Sequence, residues 1–167
     1  MFQDEAIFGR IGKVLKCWAW NGRRPKVLNQ KVREYRYIFG AVDPMTGDKC
    51  FRIYSHCDTV CMNHYLKELS QEFKDEYVLL VCDNAGWHNS KGLIIPDNIE
   101  IMHIPPYTPE MNPIEQIWDE IREKNFANQT FKSLTQVVDK LCEAVRSLLN
   151  FTISSITFRN WMCEQFI

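Results

Sequence analysis

The sequence predicts an α/β fold: a mixed five-stranded sheet flanked by helices, with a basic insertion after the first strand. Alternating segments near the N-terminus read as antiparallel strands, and the continuous apolar run Tyr77-Val78-Leu79-Leu80-Val81-Cys82 reads as a parallel strand buried on both faces. Helical spacings of apolar residues surround and follow that run. With 167 residues, 46% of them apolar and 25% charged, the chain can bury a core and is expected to form one domain, residues 1–167. Six apolar residues are too few to cross a bilayer, and no basic leader precedes an apolar segment, so no membrane association is expected. Seven scattered cysteines suit reduced thiols of a cytoplasmic protein better than a disulfide framework.

Residues Phe2 to Phe8 alternate as the first strand, with Phe2, Asp4, Ala6 and Phe8 on one face and Gln3 and Glu5 on the other. Tyr35 to Val42 and Lys49 to Tyr54 form a hairpin across Asp43-Pro44-Met45-Thr46-Gly47. Asp58 caps a helix to Phe73, carried by Cys61, Tyr65, Leu66, Leu69 and Phe73. The buried strand stops at Asp83-Asn84-Ala85-Gly86, which is turn chemistry. A short helix is expected over Ser90 to Ile95 and a strand over Ile99 to Ile104, followed by an extended loop, Pro105 to Pro109. Asn112 is expected to cap the next helix, with Pro113 in its first turn and Glu115 at the capping-box position; that helix runs to about Phe126. Ser133 to Leu149 repeats Leu134, Val138, Leu141, Val145 and Leu148 at helical spacing, a stripe expected to pack on the chain's own sheet. The tail, with Phe158, Trp161 and Phe166, is too apolar for a free linker.

Three antiparallel strands followed by βα units match the ribonuclease H-like architecture, in which the first and fourth strands lie side by side. Asp4 on the first strand, Asp83 at the carboxyl end of the buried strand and Glu115 at a helix start can then converge. Glu115 stands at the edge of an arc formed by Ile114, Ile117, Trp118 and Ile121. Converging carboxylates repel unless hard cations lie between them, and two such ions can drive phosphodiester displacement. Singly, each has a plainer role: a solvated terminal acid for Asp4, a turn cap for Asp83, a helix cap for Glu115.

The net charge of −1 hides a basic block. Residues 9–36 hold nine Lys or Arg, including Arg10, Lys13, Arg23, Arg24, Lys26, Lys31, Arg33 and Arg36, against the single acid Glu34, a net +8 that leaves −9 elsewhere. Interleaved with Trp18, Trp20 and Tyr35, it suits DNA phosphates, and a solvated face is the alternative. His56, Cys57, Cys61 and His64 have the look of a zinc set but lack a second ligand cluster, and His103 reads as a satisfied core residue.

Phe2-Gln3-Asp4-Glu5-Ala6-Ile7-Phe8, Cys82-Asp83-Asn84-Ala85-Gly86-Trp87-His88 and the run from Ile104 through Pro-Pro-Tyr-Thr-Pro-Glu-Met-Asn-Pro-Ile to Glu115 resemble the three catalytic motifs of mariner-like DDE transposases, in their bacterial insertion-sequence branch. Thirty-one residues separate Asp83 from Glu115, close to that family's spacing. The segment Trp18 to Pro25 is similar to its DNA- and partner-contacting insertion. The resemblance implies that Asp4, Asp83 and Glu115 are the catalytic, metal-binding triad for Mg2+ or Mn2+ at a two-metal site. It also implies nicking at transposon ends and 3'-hydroxyl strand transfer, double-stranded DNA as partner, a homodimer on that DNA, and a prokaryotic cytoplasmic or nucleoid location. Arg23, Arg24, Lys26, Lys31, Arg33 and His88 are the expected DNA contacts. Only three residues precede Asp4, so the N-terminal helix-turn-helix usual in the family is not expected here. A catalytically silent DNA-binding or dimerisation fragment, and a two-metal nuclease without strand transfer, remain open readings.

Overall fold

The computed structural model describes residues 1–12, 14–88, 90–106 and 108–164, and for Pro109, Cys163 and Glu164 the backbone alone. Lys13 of the basic block, Tyr107 of the Pro-rich loop and Phe166 of the tail lie outside the described residues. In chain order the elements are β1 (Phe2–Ile11), β2 (Lys31–Val42), β3 (Lys49–Tyr54), α1 (Thr59–Glu72), β4 (Val78–Cys82), β5 (Ile99–His103), α2 (Glu115–Ile121), α3 (Leu134–Ser147), α4 (Asn150–Thr157) and α5 (Trp161–Glu164). A single 3-10 turn, Pro109–Met111, precedes α2, and a π turn, Arg122–Phe126, extends it.

The sheet order is β3-β2-β1-β4-β5, with β1–β2 and β2–β3 antiparallel and β1–β4 and β4–β5 parallel. This is the mixed five-stranded, ribonuclease H-like arrangement expected from the sequence. Phe2 pairs with Val81. Two residues farther along these parallel strands, Asp4 and Asp83 emerge level with each other.

Strand alternation assigns the two sheet faces to two cores. On one face Phe39, Ala41, Cys50, Leu80 and Ile99 pack against Met62, Tyr65, Leu66 and Leu69 of α1. Asp58 caps α1 as expected, accepting from the Cys61 amide at 2.8 Å. On the other face Ala6, Phe8, Ile38 and Val42 pack against Ile114, Ile117, Trp118 and Ile121 of the α2 region and Val137, Leu141 and Ala144 of α3. Of the expected α3 stripe, Leu134, Leu141, Val145 and Leu148 pack on the chain's own sheet, while Val137 and Ala144, rather than Val138, complete the buried face. Gly47, at φ +76, closes the β2–β3 turn, where a Cβ would fall 2.0 Å from the Asn150 carbonyl oxygen.

Four expectations are corrected. β4 is not buried on both faces: Leu79 is 41% exposed, because the helices on its side gather over β1 and β2. Ser90 to Ile95 is irregular rather than helical, since Asn63 of α1 captures its backbone, donating to the Gly92 carbonyl (2.9 Å) and accepting from the Ile94 amide (2.8 Å). Asn112 does not cap α2. Its amide donates to the Gln3 carbonyl on β1 (2.9 Å), and no side chain caps the helix start. Lastly, β1 and β2 pair out to Ile11 and Lys31, so β2 starts four residues before Tyr35, Lys31 and Arg33 belong to the strand with Arg36, and the insertion proper is 12–30. Exposed charges at a strand end hide it from an apolar pattern, while the backbone ladder continues regardless.

Candidate active site

A cleft of about 400 Å³ opens at the carboxyl ends of β4 and β5, lined by Asp4, Asp83, Asn84, Pro105, Asn112 and Glu115 among others. β1 supplies Asp4, the first residue past β4 supplies Asp83, and the first residue of α2 supplies Glu115. The structure therefore brings all three sequence-predicted carboxylates to one cleft.

Their surroundings differ. Asp4 sits against the α2 side of the sheet, where its Oδ2 accepts from the indole N–H of fully buried Trp118 at 2.8 Å. Loss of solvent, reinforced by the charge of Glu115, pushes its pKa from 3.8 up to about 7, against the Trp118 hydrogen bond. Gly40, opposite Asp4 on β2, makes room for this contact: a Cβ there would lie 2.6 Å from the Trp118 ring. Asp83 is half exposed, and its Oδ1 accepts from the Ala85 amide at 2.9 Å, an Asx turn that fixes the strand exit. Glu115 is exposed on the cleft wall beside the buried arc Ile114, Ile117, Trp118 and Ile121.

His88 departs from its expected role as a DNA contact. It is 2% exposed, its Nδ1 lies 2.9 Å from Asp83 Oδ1 and its Nε2 3.1 Å from Glu5 Oε1. Both ring nitrogens face carboxylate oxygens, so both carry protons and the ring is an imidazolium. Burial opposes that charge, but the Cys82 sulfur and the Glu5 carboxylate outweigh it and raise the pKa to about 11. The turn following Asp83 folds the ring inward, where its side chain is wholly buried. His103 is satisfied by the Asp83 carbonyl at 2.9 Å.

Trp118, Glu5 and Asn112 are the residues that sequence reasoning missed. A buried indole must place its N–H on an acceptor, and the alternation that sends Asp4 to one face sends Glu5 into the opposite core, where an acid needs a partner.

No trio of His, Cys, Asp or Glu among the described residues is arranged to enclose a metal ion as it stands. The cleft's donor chemistry nonetheless fits a hard cation. Its ionisable donors are carboxylates, one of them held near neutral pH by desolvation and a like charge, and Asn112 Oδ1 is buried there without a hydrogen-bond partner among the described residues. The zinc-like set is engaged differently. His56 bonds Ser55 (2.8 Å), His64 meets Tyr54 (3.2 Å) and Glu68 (3.3 Å), and burial together with the Glu5 charge pushes the Cys57 thiol up to about 12.

Farther along the same end of the sheet, β1 continues seven residues past Asp4, roughly 24 Å at strand rise. There residues 12–30 leave as an arm with no helix or strand among its described residues. Its base is pinned by Arg10 and Gln30 donating to the Phe131 carbonyl, both at 2.9 Å. Its tip turns at Gly22 (φ +80) and leaves Trp18, Trp20, Arg23, Arg24 and Lys26 exposed, as are Lys31 and Arg33 at the start of β2. Arg10 is paired with Glu34 at 2.8 Å and adds little free charge.

Residues 1–138 match the sequence model of the family described as DDE superfamily endonuclease. An uncharacterized protein of Sinorhizobium fredii, y4pE/y4sA, is 37% identical over 130 residues, covering 76% of this chain and 96% of that one. Among solved structures, the Mos1 transposase paired-end complex with left transposon end superposes with a TM-score of 0.70 at 17% identity, over 93% of this chain and 50% of that one. The catalytic domain of Mos1 mariner transposase does so with a TM-score of 0.62 at 13% identity, over 92% of this chain and 72% of the other. The chain thus spans about half the length of the Mos1 chain in the DNA complex, and at these identities the likeness is one of fold.

Proposed function

The chain belongs to the DDE superfamily of endonucleases, and from that membership we propose that it is the metal-dependent catalytic domain of a DNA transposase. It hydrolyses a phosphodiester at a transposon end, and the liberated 3'-hydroxyl then attacks a target phosphodiester, forming the joining bond as the target strand leaves with its own 3'-hydroxyl. The observation that carries this reading is the meeting of Asp4, Asp83 and Glu115, from three elements distant in sequence, on one cleft where Asp4 is desolvated and pressed by the charge of Glu115.

Asp4, Asp83 and Glu115 would hold Mg2+ or Mn2+, two ions in the expected arrangement. Such ions, when bound, supply Lewis-acid stabilisation of the charge that develops on a phosphodiester undergoing displacement. The remaining work belongs to the chain. Trp118 keeps Asp4 turned into the cleft, and Asn112 ties the start of α2 to β1 so that Glu115 faces Asp4. Arg23, Arg24, Lys26, Lys31 and Arg33 hold duplex DNA through phosphates, because irregularly spaced charges on an arm without a recognition helix carry no base readout. A second copy on the same DNA is the proposed partner for the exposed apolar residues Trp18, Trp20 and Leu28.

The test is incubation of the full chain with end-containing duplex in Mg2+ or Mn2+, scoring nicks and joined products. Nicking with joining supports the reading. Nicking alone reduces it to a nuclease of this fold, and neither product, with DNA retained, makes the chain a silent DNA-binding fragment.

A further inference from the structure

We propose that His88 is a positioning residue for the cleft: anchored by Glu5 through one ring nitrogen, it fixes the Asp83 carboxylate through the other, and so sets the orientation in which Asp83 takes a divalent cation. This rests on the reading of Asp83 as a metal-holding residue. The His88 side chain is wholly buried, yet it bridges two carboxylates, donating from Nδ1 to Asp83 Oδ1 (2.9 Å) and from Nε2 to Glu5 Oε1 (3.1 Å). Glu5 is itself only 6% exposed at its side chain, and Gln3 Nε2 donates to the same Oε1 at 2.9 Å.

A buried ion pair contributes little stability beyond what apolar residues of similar volume would, so core packing alone does not account for this one. The network also has a direction. Gln3, Glu5 and His88 lie buried on the α1 side of β1, and the chain of contacts surfaces only at half-exposed Asp83, in the cleft wall. β1 thereby controls two of the three carboxylates. It carries Asp4 into the cleft directly, and through Glu5, one residue on and on the opposite face, it holds Asp83 by way of His88. Outer partners of this kind typically account for about 10- to 100-fold in metal affinity.

The side-chain geometry of asparagine and glutamine separates the two ring nitrogens. An Asn amide nitrogen reaches the place of Nδ1, and a Gln amide nitrogen reaches the place of Nε2. His88→Asn therefore keeps the donor to Asp83, whereas His88→Gln loses it. With Mn2+ as probe, binding by the full chain is measured by electron paramagnetic resonance for the unaltered protein, both His88 variants and Asp83→Asn, alongside metal-free melting curves. The expected result is Mn2+ affinity about 10- to 100-fold weaker in His88→Gln, only several-fold weaker in His88→Asn, which keeps the donor to Asp83 without the Glu5 anchor, and similar melting of the two. Unaltered affinity in His88→Gln, or equal losses in both variants, overturns the proposal. If Asp83→Asn weakens Mn2+ binding while His88→Gln does not, only the positioning role fails. If Asp83→Asn changes nothing, the reading of the cleft fails and this inference with it. Should His88→Gln not fold, Glu5→Gln, which keeps shape but removes the anchoring charge, is expected to weaken Mn2+ binding several-fold, and unaltered affinity there overturns the proposal.

Discussion

The cleft and the basic arm share one end of the sheet and are built on opposite principles. In the cleft three polar groups are held in place: Asp4 by Trp118, Asp83 by its own turn and His88, and Asn112 by β1. In the arm, beyond its pinned base, Trp18, Trp20, Arg23 and Arg24 stand in solvent with no ladder around them. The cleft is prepared before any ligand arrives, as a reaction centre must be. The arm presents charge and apolar surface without helix or strand among its described residues, which suits phosphate contacts and a second copy. Substitutions in the first region should therefore alter chemistry at constant DNA affinity, and those in the second should do the reverse.

The sharpest separation comes from Asp83→Asn. The amide keeps the shape and one acceptor but loses the anion, so Mg2+-dependent nicking should fall by about 10³-fold or more. Stability should move by only about 1 kcal/mol and duplex binding not at all. Gel assays of nicking and retention on the same preparations check both halves. Next in size, Trp118→Phe keeps the buried ring and removes the N–H that holds Asp4. Nicking should drop by about 10- to 100-fold, with a stability loss of about 1–2 kcal/mol, read from initial rates and urea melts.

On the arm, replacing Arg23 and Arg24 together by Glu should weaken binding to unrelated duplexes alike. The log–log salt slope should flatten by about 0.9 for each phosphate no longer neutralised, while Mn2+ affinity holds. An unchanged slope would make the basic block a solvated face.

A last effect, read in stability rather than in nicking or DNA binding, is a pH dependence confined to the cleft. Asp4 ionises at about 7 in the folded chain against about 4 unfolded, so across that window the native state retains a proton that the unfolded state has released. Metal-free stability should fall as pH rises through this range, by up to about 1.4 kcal/mol per pH unit, and Asp4→Asn should remove that component. Melting temperatures across pH 4 to 8 give the result directly.

The same contrast governs how much is legible in the sequence. Period-two alternation in Phe2 to Phe8 and period-3.6 spacing from Ile114 to Ile121 are enforced by burial, so strand pairing, the meeting of β1 with β4 and the three carboxylates can be read from the chain. The role of Asn112 cannot, because an Asn before Pro carries the same local signal whether its amide caps a helix or reaches another strand, and only tertiary structure decides. The Ser90 to Ile95 segment is opaque for a related reason: its backbone partner, Asn63, is about thirty residues away in sequence. His88 has the local pattern of a surface cation. Nothing near it announces that Glu5, 83 residues earlier, waits to bury it.

Everything proposed for the cleft depends on Asp4, Asp83 and Glu115 sharing divalent cation there. The most direct test is a crystal of the full chain soaked in Mn2+ and examined by anomalous diffraction. Peaks are expected within coordination distance of all three carboxylates, with Asp4 still bonded to Trp118. Peaks elsewhere, or none at a concentration that supports nicking, would contradict it.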